Sequence, residues 1–498
     1  MDRTPLRRTR DKILSILPFK KHLPKPSSSL PSNPEPITSL LTPLSEETIT
    51  KPSGIEALPL ELRLHILSAI PNLQSLKYLL RASPAYYRAF QGSKRKILKS
   101  VIERELKPSL LVEAKAVCKA KRVGRDEKWM ASVGDVLREW RDERKVVAEK
   151  KTMGNGMEGG GTEVEVDEDD VIEIVNLYLL VQRLTGEFCA DALRPVSDGL
   201  TKREGKGREW DREISELERC RIQRAMFRFE TFVALFGEKK FRPSYRPERF
   251  REQEMADLYF GSEGMKAWEV EELACVRDWM YRVYGSVLEE TRELVWEMDV
   301  ESERDELRCF MEEGWKMEER AKRQVMKRDE YWERDQREVL LMLGLPFLAK
   351  IMEARSAQRK FELLKEHLII SYMDAPDFLT KALEAEPGPS RAGHGHGHRR
   401  ARIEFEGDIE TGPNMAWVQS KGIKNREDQE RWFEDEAERW REWGYCLWDE
   451  ERLKEWGFGH WSWRNGERRI KGRWVWITQA RPSGRVVGRW VWVVDGVK

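Results

Sequence analysis

Apolar positions begin to recur with a helical period at Ile55 and keep it to about residue 150. Leu60, Leu62, Leu64, Ile66, Leu67 and Ile70 form a broad first stripe. It starts just after Pro59, which suits a first helical turn because its missing N–H would be unpaired there. Pro71 stops that helix. Asn72 is placed to cap the next one, which carries Leu73, Leu76, Leu79 and Leu80 on one side. Ser83 and Pro84 repeat the cap-then-proline start, and Tyr86, Tyr87 and Phe90 supply a third apolar face. Three helices this short cannot bury all these side chains among themselves. The pattern predicts that they pack on the rest of the chain, on a partner, or on both.

A second helical block runs from Val171 to Ala385, with loops expected around Leu200 and Pro243. Its clearest helix has Ile214, Leu217, Ile222, Ala225, Met226, Phe229, Phe232, Val233 and Phe236 in register. Arginines and glutamates fall on its other side, a solvated face by pattern, and Gly237 is expected as C-cap. A long helix is expected over 266–299, with Leu273, Val276, Met280, Val283, Val287 and Leu288 as its stripe. Near the C-terminus, Trp432, Phe433, Ala437, Trp440 and Trp443 predict a helix ending in a turn at Gly444. The period then changes from helix to strand. GRWVW occurs at 472–476 and again at 488–492, and Pro482-Ser483-Gly484 is a turn signal, so a β-hairpin is expected. Alternation puts Trp474 and Trp476 on one face and Val475 and Ile477 on the other.

Composition sets the boundaries. Residues 1–53 are a basic, then Pro/Ser/Thr-rich, tail with little to bury. They lack a signal-peptide core and a cleavage site. Residues 54–150 hold the three short helices and those that follow, and 151–170 is a Gly-rich and acidic linker. A helical domain covers 171–385, a His/Gly/Pro linker 386–402, and a Trp-rich region 403–498. The net charge of +1 provides no global steering toward nucleic acid or anionic membrane. Six scattered cysteines, none in a C-x-x-C pair, argue for reduced thiols in the cytoplasm or nucleus rather than a disulfide framework or zinc site. No apolar run is long enough to cross a bilayer.

The run LPLELRLHILSAIPNLQSLKYLLRAS, from Leu58, resembles the F-box, in particular the F-box-like domains of a large group of filamentous-fungal proteins. The segments ERCRIQRAMFRFE and WEVEELACVRDWMYRVY resemble the middle region of the same proteins. The resemblance implies docking on the small adaptor subunit of a cullin-RING ubiquitin ligase, with Leu58, Pro59, Leu62, Ile66, Leu67 and Leu76 as adaptor-docking residues. It departs from the F-box pattern after the second helix. The family has Val-Cys or Val-Ser followed by tryptophan, where this chain has Arg81-Ala82-Ser83-Pro84-Ala85-Tyr86-Tyr87.

Other motifs carry less. Gly154, Gly156 and Gly159 match G-x-G-x-x-G, but lysines precede them and an acidic run follows, where a dinucleotide site needs strand and helix. His394, His396 and His398 alternate with glycine in a backbone that offers no preorganised metal geometry. The seven histidines form no HExxH and no triad. No residue calls for a cofactor, a metal or a catalytic role. The expected fold is mainly α: an F-box-like three-helix module, a helical central domain, and a Trp-rich C-terminal helix plus β-hairpin. The expected function is an adaptor that holds an unidentified protein target on a ubiquitin ligase, with no catalytic site of its own. Two alternatives stand beside it: an F-box-like scaffold without ligase docking, and single-strand nucleic-acid binding by the basic Trp-rich hairpin.

Overall fold

The computed structural model describes residues 54–124, 129–153, 164–193, 213–237, 258–260, 265–310, 333–368, 405, 407–410, 412–421, 441, 443–455, 472–480 and 486–494. These residues are mainly helical. A 3-10 turn at Gly54–Ala57 leads into α1 (Leu60–Ala69), α2 (Leu73–Ala82), α3 (Pro84–Gly92) and α4 (Lys94–Glu105). Then come α5 (Pro108–Arg122), α6 (Trp129–Met153), α7 (Val171–Ala192), α8 (Glu216–Phe236) and α9 (Ala267–Phe310). The short helices α10 (Gly344–Glu353), α11 (Ala357–Leu364), α12 (Met415–Lys421) and α13 (Glu450–Glu455) follow, with a 3-10 turn at Tyr445–Leu447 before α13. Strands β1 (Gly472–Ala480) and β2 (Val486–Val494) pair antiparallel, with Trp474 opposite Trp492 and Trp476 opposite Trp490.

The punctuation of the first helices follows local chemistry. Pro59 is the residue just before α1 rather than within its first turn, and Ile70 is already extended ahead of Pro71. The Asn72 side chain accepts the Ser75 N–H at 2.8 Å, and Ser83 accepts that of Tyr86 at 3.4 Å with Pro84 opening α3. Helix α1 packs on α3 and α4, and α2 packs on the same two helices.

Helix α8 is the hub of the molecule. It packs on α5, α7, α9, α10 and the Tyr445–Leu447 turn. Ser215 and Glu218 close its N-terminus with a reciprocal capping box. Gly237 is its C-cap, as expected, in an extended conformation with φ −70°; a Cβ there would lie 2.8 Å from the Met342 carbonyl oxygen, and close backbone approach explains the glycine.

Packing decides three further points. Every residue of α8 from Cys220 to Phe232 is buried, arginines included, so its polar side is not a solvated face. Burial all round needs a partner for each charge, and neighbouring helices supply them. Of the segment expected as a linker over 151–170, residues 151–153 and 164–170 are described: α6 runs to Met153, and 164–170 is irregular chain in which Val166 is buried and Asp170 pairs with Arg122. Val166 and the Asp170 carboxylate are its buried points, the latter paired with an Arg122 side chain that is itself half exposed. Finally, described parts of the C-terminal region are joined to the helical core: Trp448 lies beside Phe188 of α7, and Asn414 donates to the carbonyls of Tyr445 and Trp448. The tail over 1–53, the glycine motif, the loops near Leu200 and Pro243, the His/Gly/Pro linker and the Trp432–Trp440 helix lie outside the described residues.

Candidate functional site

The face suggested by the Leu-Pro motif divides into contact and support positions. Leu62 is 51% exposed, and Pro59 is also exposed. Leu58 and Ile66 are half-buried. Leu67 and Leu76, by contrast, are 0% and 2% exposed inside the chain's own core. Both are already packed, so in this conformation they seat α1 and α2 and leave no surface for a partner. Two further apolar residues join the exposed set: Ile55, 60% exposed, and Leu60, 48% exposed. The first-helix pattern contained this signal, because α1 has apolar residues around its whole circumference and only one side can face the core.

Polar contacts hold this surface in place. Arg63 donates to the Ala85 carbonyl at 3.1 Å, and the Tyr86 hydroxyl donates to the Ile55 carbonyl at 3.3 Å. Glu56 pairs with the Ser83 hydroxyl. The segment that departs from the F-box pattern therefore ties down the turn ahead of α1. Arg104 covers the C-terminal carbonyls of α1, donating to Ser68 at 2.8 Å and also to Ile70. Glu105 accepts the Leu73 N–H at 2.7 Å, at the start of α2, and the Tyr178 hydroxyl of α7 at 3.1 Å. One carboxylate thus joins the three-helix module to the helical domain. Burial and this carboxylate together raise the Tyr178 phenol above its usual range.

Behind the module lies a layer of buried charge built on α8. Arg228 donates to Glu113 of α5 at 2.7 and 2.9 Å and to Glu269 of α9 at 2.9 Å. Arg224 makes a bidentate pair with Glu272, at 2.8 and 2.9 Å, and donates to the Glu410 carbonyl at 2.6 Å. Arg221 reaches Asp449 at 2.8 Å and Asp408 at 3.1 Å. Arg452 pairs with Glu218, and Arg441 pairs with Glu271. The arginines of ERCRIQRAMFR therefore meet the glutamates of WEVEEL, along with acids from both flanking regions. Burial pushes the Glu269 and Glu218 carboxyls upward, but the opposing arginines prevail and hold both below the usual carboxylate range, with backbone N–H groups assisting at Glu218.

The chain matches no known protein family, characterised protein or solved structure in the comparisons made.

The geometry itself therefore carries the reading. Among the described residues the acids of the charged layer are engaged by arginines, including Asp449, which also accepts the Ser215 hydroxyl. A groove of about 520 Å³ runs beside α5 and α6, lined by residues including Lys115, Asp135, Glu139, Glu143, Val147 and Val164. Several of its charges are already paired, as in Lys115–Glu143 at 2.9 Å and Arg138–Asp135 at 3.1 Å. Among the described residues no group of three or more His, Cys, Asp or Glu side chains is arranged to hold a metal ion, and no helix is long and apolar enough to cross a membrane. The surface around α1 differs from both: apolar, exposed and rigidly backed.

Proposed function

We propose that the protein is an F-box-type adaptor, the substrate-receptor subunit of a cullin-RING ubiquitin ligase, and that the exposed side of α1 binds the ligase's small adaptor subunit. The observation that carries this reading is the exposure of Leu62 on a helix seated in the core through Leu67, with Leu60 also exposed where its first turn begins. Isolated exposed leucines are ordinary on a protein surface. Here two on one helix lie close in sequence to Ile55, also exposed, in a segment held by Tyr86 and Arg63. Fully burying a leucine is worth roughly 1.5–3 kcal/mol, so a half-exposed pair still offers a partner useful binding energy. The protein contributes proximity and orientation, and the transfer chemistry belongs to other subunits. Glu105, shared between α2 and α7, provides the fixed geometry such a role needs.

The nucleic-acid alternative loses ground on the strand register. Trp474, Trp476, Trp490 and Trp492 occupy positions on one face of the hairpin, while Arg473 and Arg489 fall at positions on the other. A stacking surface that also grips phosphate needs both on the same side.

The test is co-purification of the full chain with the adaptor subunit. Leu60→Asp with Leu62→Asp should abolish capture while leaving the circular dichroism spectrum unchanged, because both side chains are half in solvent and a carboxylate at an interface costs several kcal/mol. Leu67→Asp should instead unfold the three-helix module. A wild-type chain that never retains the adaptor would defeat the ligase reading and favour the scaffold without ligase docking.

A further inference from the structure

Cys275 lies on α9 and Cys446 in the Tyr445–Leu447 turn, separated by 171 positions in sequence. Their sulfurs are 3.4 Å apart, and the side chains are 0% and 2% exposed. Both are free thiols, as are the buried Cys118, Cys189 and Cys220. The contact sits where the C-terminal segment is clamped on the hub. Arg441 makes its bidentate pair with Glu271 at 2.7 and 3.0 Å, and Asn414 holds the carbonyls of Tyr445 and Trp448. Gly444, at φ +71°, makes the reversal that delivers Cys446, and a Cβ there would lie 2.9 Å from Phe188.

We infer that Cys275 and Cys446 are a disulfide-forming pair that reversibly locks the C-terminal segment onto α9. The sulfurs need to close by little more than an ångström to reach bonding distance of about 2.05 Å, a displacement within reach of small side-chain adjustments. The pair does not react in the closed state. No oxidant reaches it, and burial raises both thiols, so few thiolates form. Reaction therefore follows local opening of the segment, whose attachment leans on ion pairs that water can replace. The oxidant is a low-molecular-weight disulfide. The Cys446 thiolate attacks one of its sulfurs, forms a mixed disulfide and releases the first small thiolate. As the segment swings back, before the site is buried, the Cys275 thiolate attacks the Cys446 sulfur and expels the second small thiolate. Two protein thiols lose two protons and two electrons, and one small disulfide becomes two thiols. A reducing pool reverses both steps. Re-opening is then suppressed, because the crosslink closes a long loop and removes unfolded-state entropy.

The probe is glutathione disulfide, applied to the full chain in buffers of stepped oxidised-to-reduced ratio. Non-reducing peptide mapping should yield one bridge, Cys275–Cys446, which disappears on reduction. Amide hydrogen exchange across 443–450 should slow at least tenfold in the oxidised form. Cys275→Ala should accumulate one glutathione on Cys446, because the resolving thiol is missing, whereas Cys446→Ala should leave Cys275 unmodified. Wild-type mapping carries the test even if a variant folds poorly. A chain without the bridge at the most oxidising ratio, or one that bridges other cysteines first, overturns the inference.

Discussion

Arg228 illustrates what a single residue does in this core. It is 1% exposed, yet it carries a full charge shared between Glu113 and Glu269. Trp140 donates to the second oxygen of Glu113 at 2.8 Å, and Arg144 also reaches both acids. Such an ion pair adds little net stability over a well-packed apolar substitute, because both charges had to be desolvated. Removing one partner is another matter. Arg228→Met should cost about 3–5 kcal/mol in urea denaturation, since it leaves buried carboxylates underpaired. Arg138→Ala removes a pair more than two-thirds exposed on both sides, and should shift stability by less than about 0.5 kcal/mol. Equal losses in the two variants would show that the layer is wetter than its geometry implies.

At the scale of elements, the charges set register. Helix α8 presents Arg221, Arg224 and Arg228 to acids on α5, α9 and the C-terminal segment. Sliding it by one turn, about 5.4 Å, would separate all three from their partners. The C-terminal elements are part of this arrangement and not an appendage. Deleting residues 403–498 removes Asp408, Arg441, Asp449 and Arg452, which leaves Arg221, Glu218 and Glu271 without the contacts described above. It also vacates the place of Trp448 beside Phe188. A chain ending at Arg402 should therefore melt broadly at lower temperature than the full chain, followed by circular dichroism. A sharp transition at unchanged temperature would mean that the helical core stands without these elements. The short caps of the first helices were legible because Asn72 and Ser83 act within three residues. The partners of α8 were not, since each lies dozens to hundreds of positions away.

For the whole molecule, the charge layer predicts a response to acid. Glu218 and Glu269 ionise more readily in the folded protein than at their ordinary value of 4.5. The unfolded chain then binds protons first as pH falls. Both groups therefore add stability that is complete above pH 4.5 and is lost progressively as pH drops toward their folded values. Burial holds Glu272 and Asp449 above their ordinary values, which acts in the opposite sense, so the part owed to Glu218 and Glu269 is read as a fall in the unfolding midpoint below about pH 5 that depends on Glu269. Glu269→Gln should flatten the acid slope and lower the plateau. An acid slope unaffected by that change would place the linkage elsewhere.

The amino-acid sequence by itself determined the helical class, the first three helices with their caps and proline stops, and a long helix expected over 266–299 and found over Ala267–Phe310. These features depend on periodicity and on contacts within a few residues. It also pointed to the Leu-Pro helix as a surface of interest, though not to which of its leucines face outward. Tertiary structure decided that: Leu67 and Leu76 are in the core, while Leu60 and Leu62 remain at the surface. It likewise decided that the polar side of α8 is buried, that Val166 and Asp170 are buried within an acidic stretch, and that Cys275 meets Cys446. An arginine on an amphipathic helix looks the same in sequence whether water or a distant glutamate will receive its protons. Only the packing of α5, α9 and the C-terminal segment around α8 removes the water and makes the glutamate the acceptor.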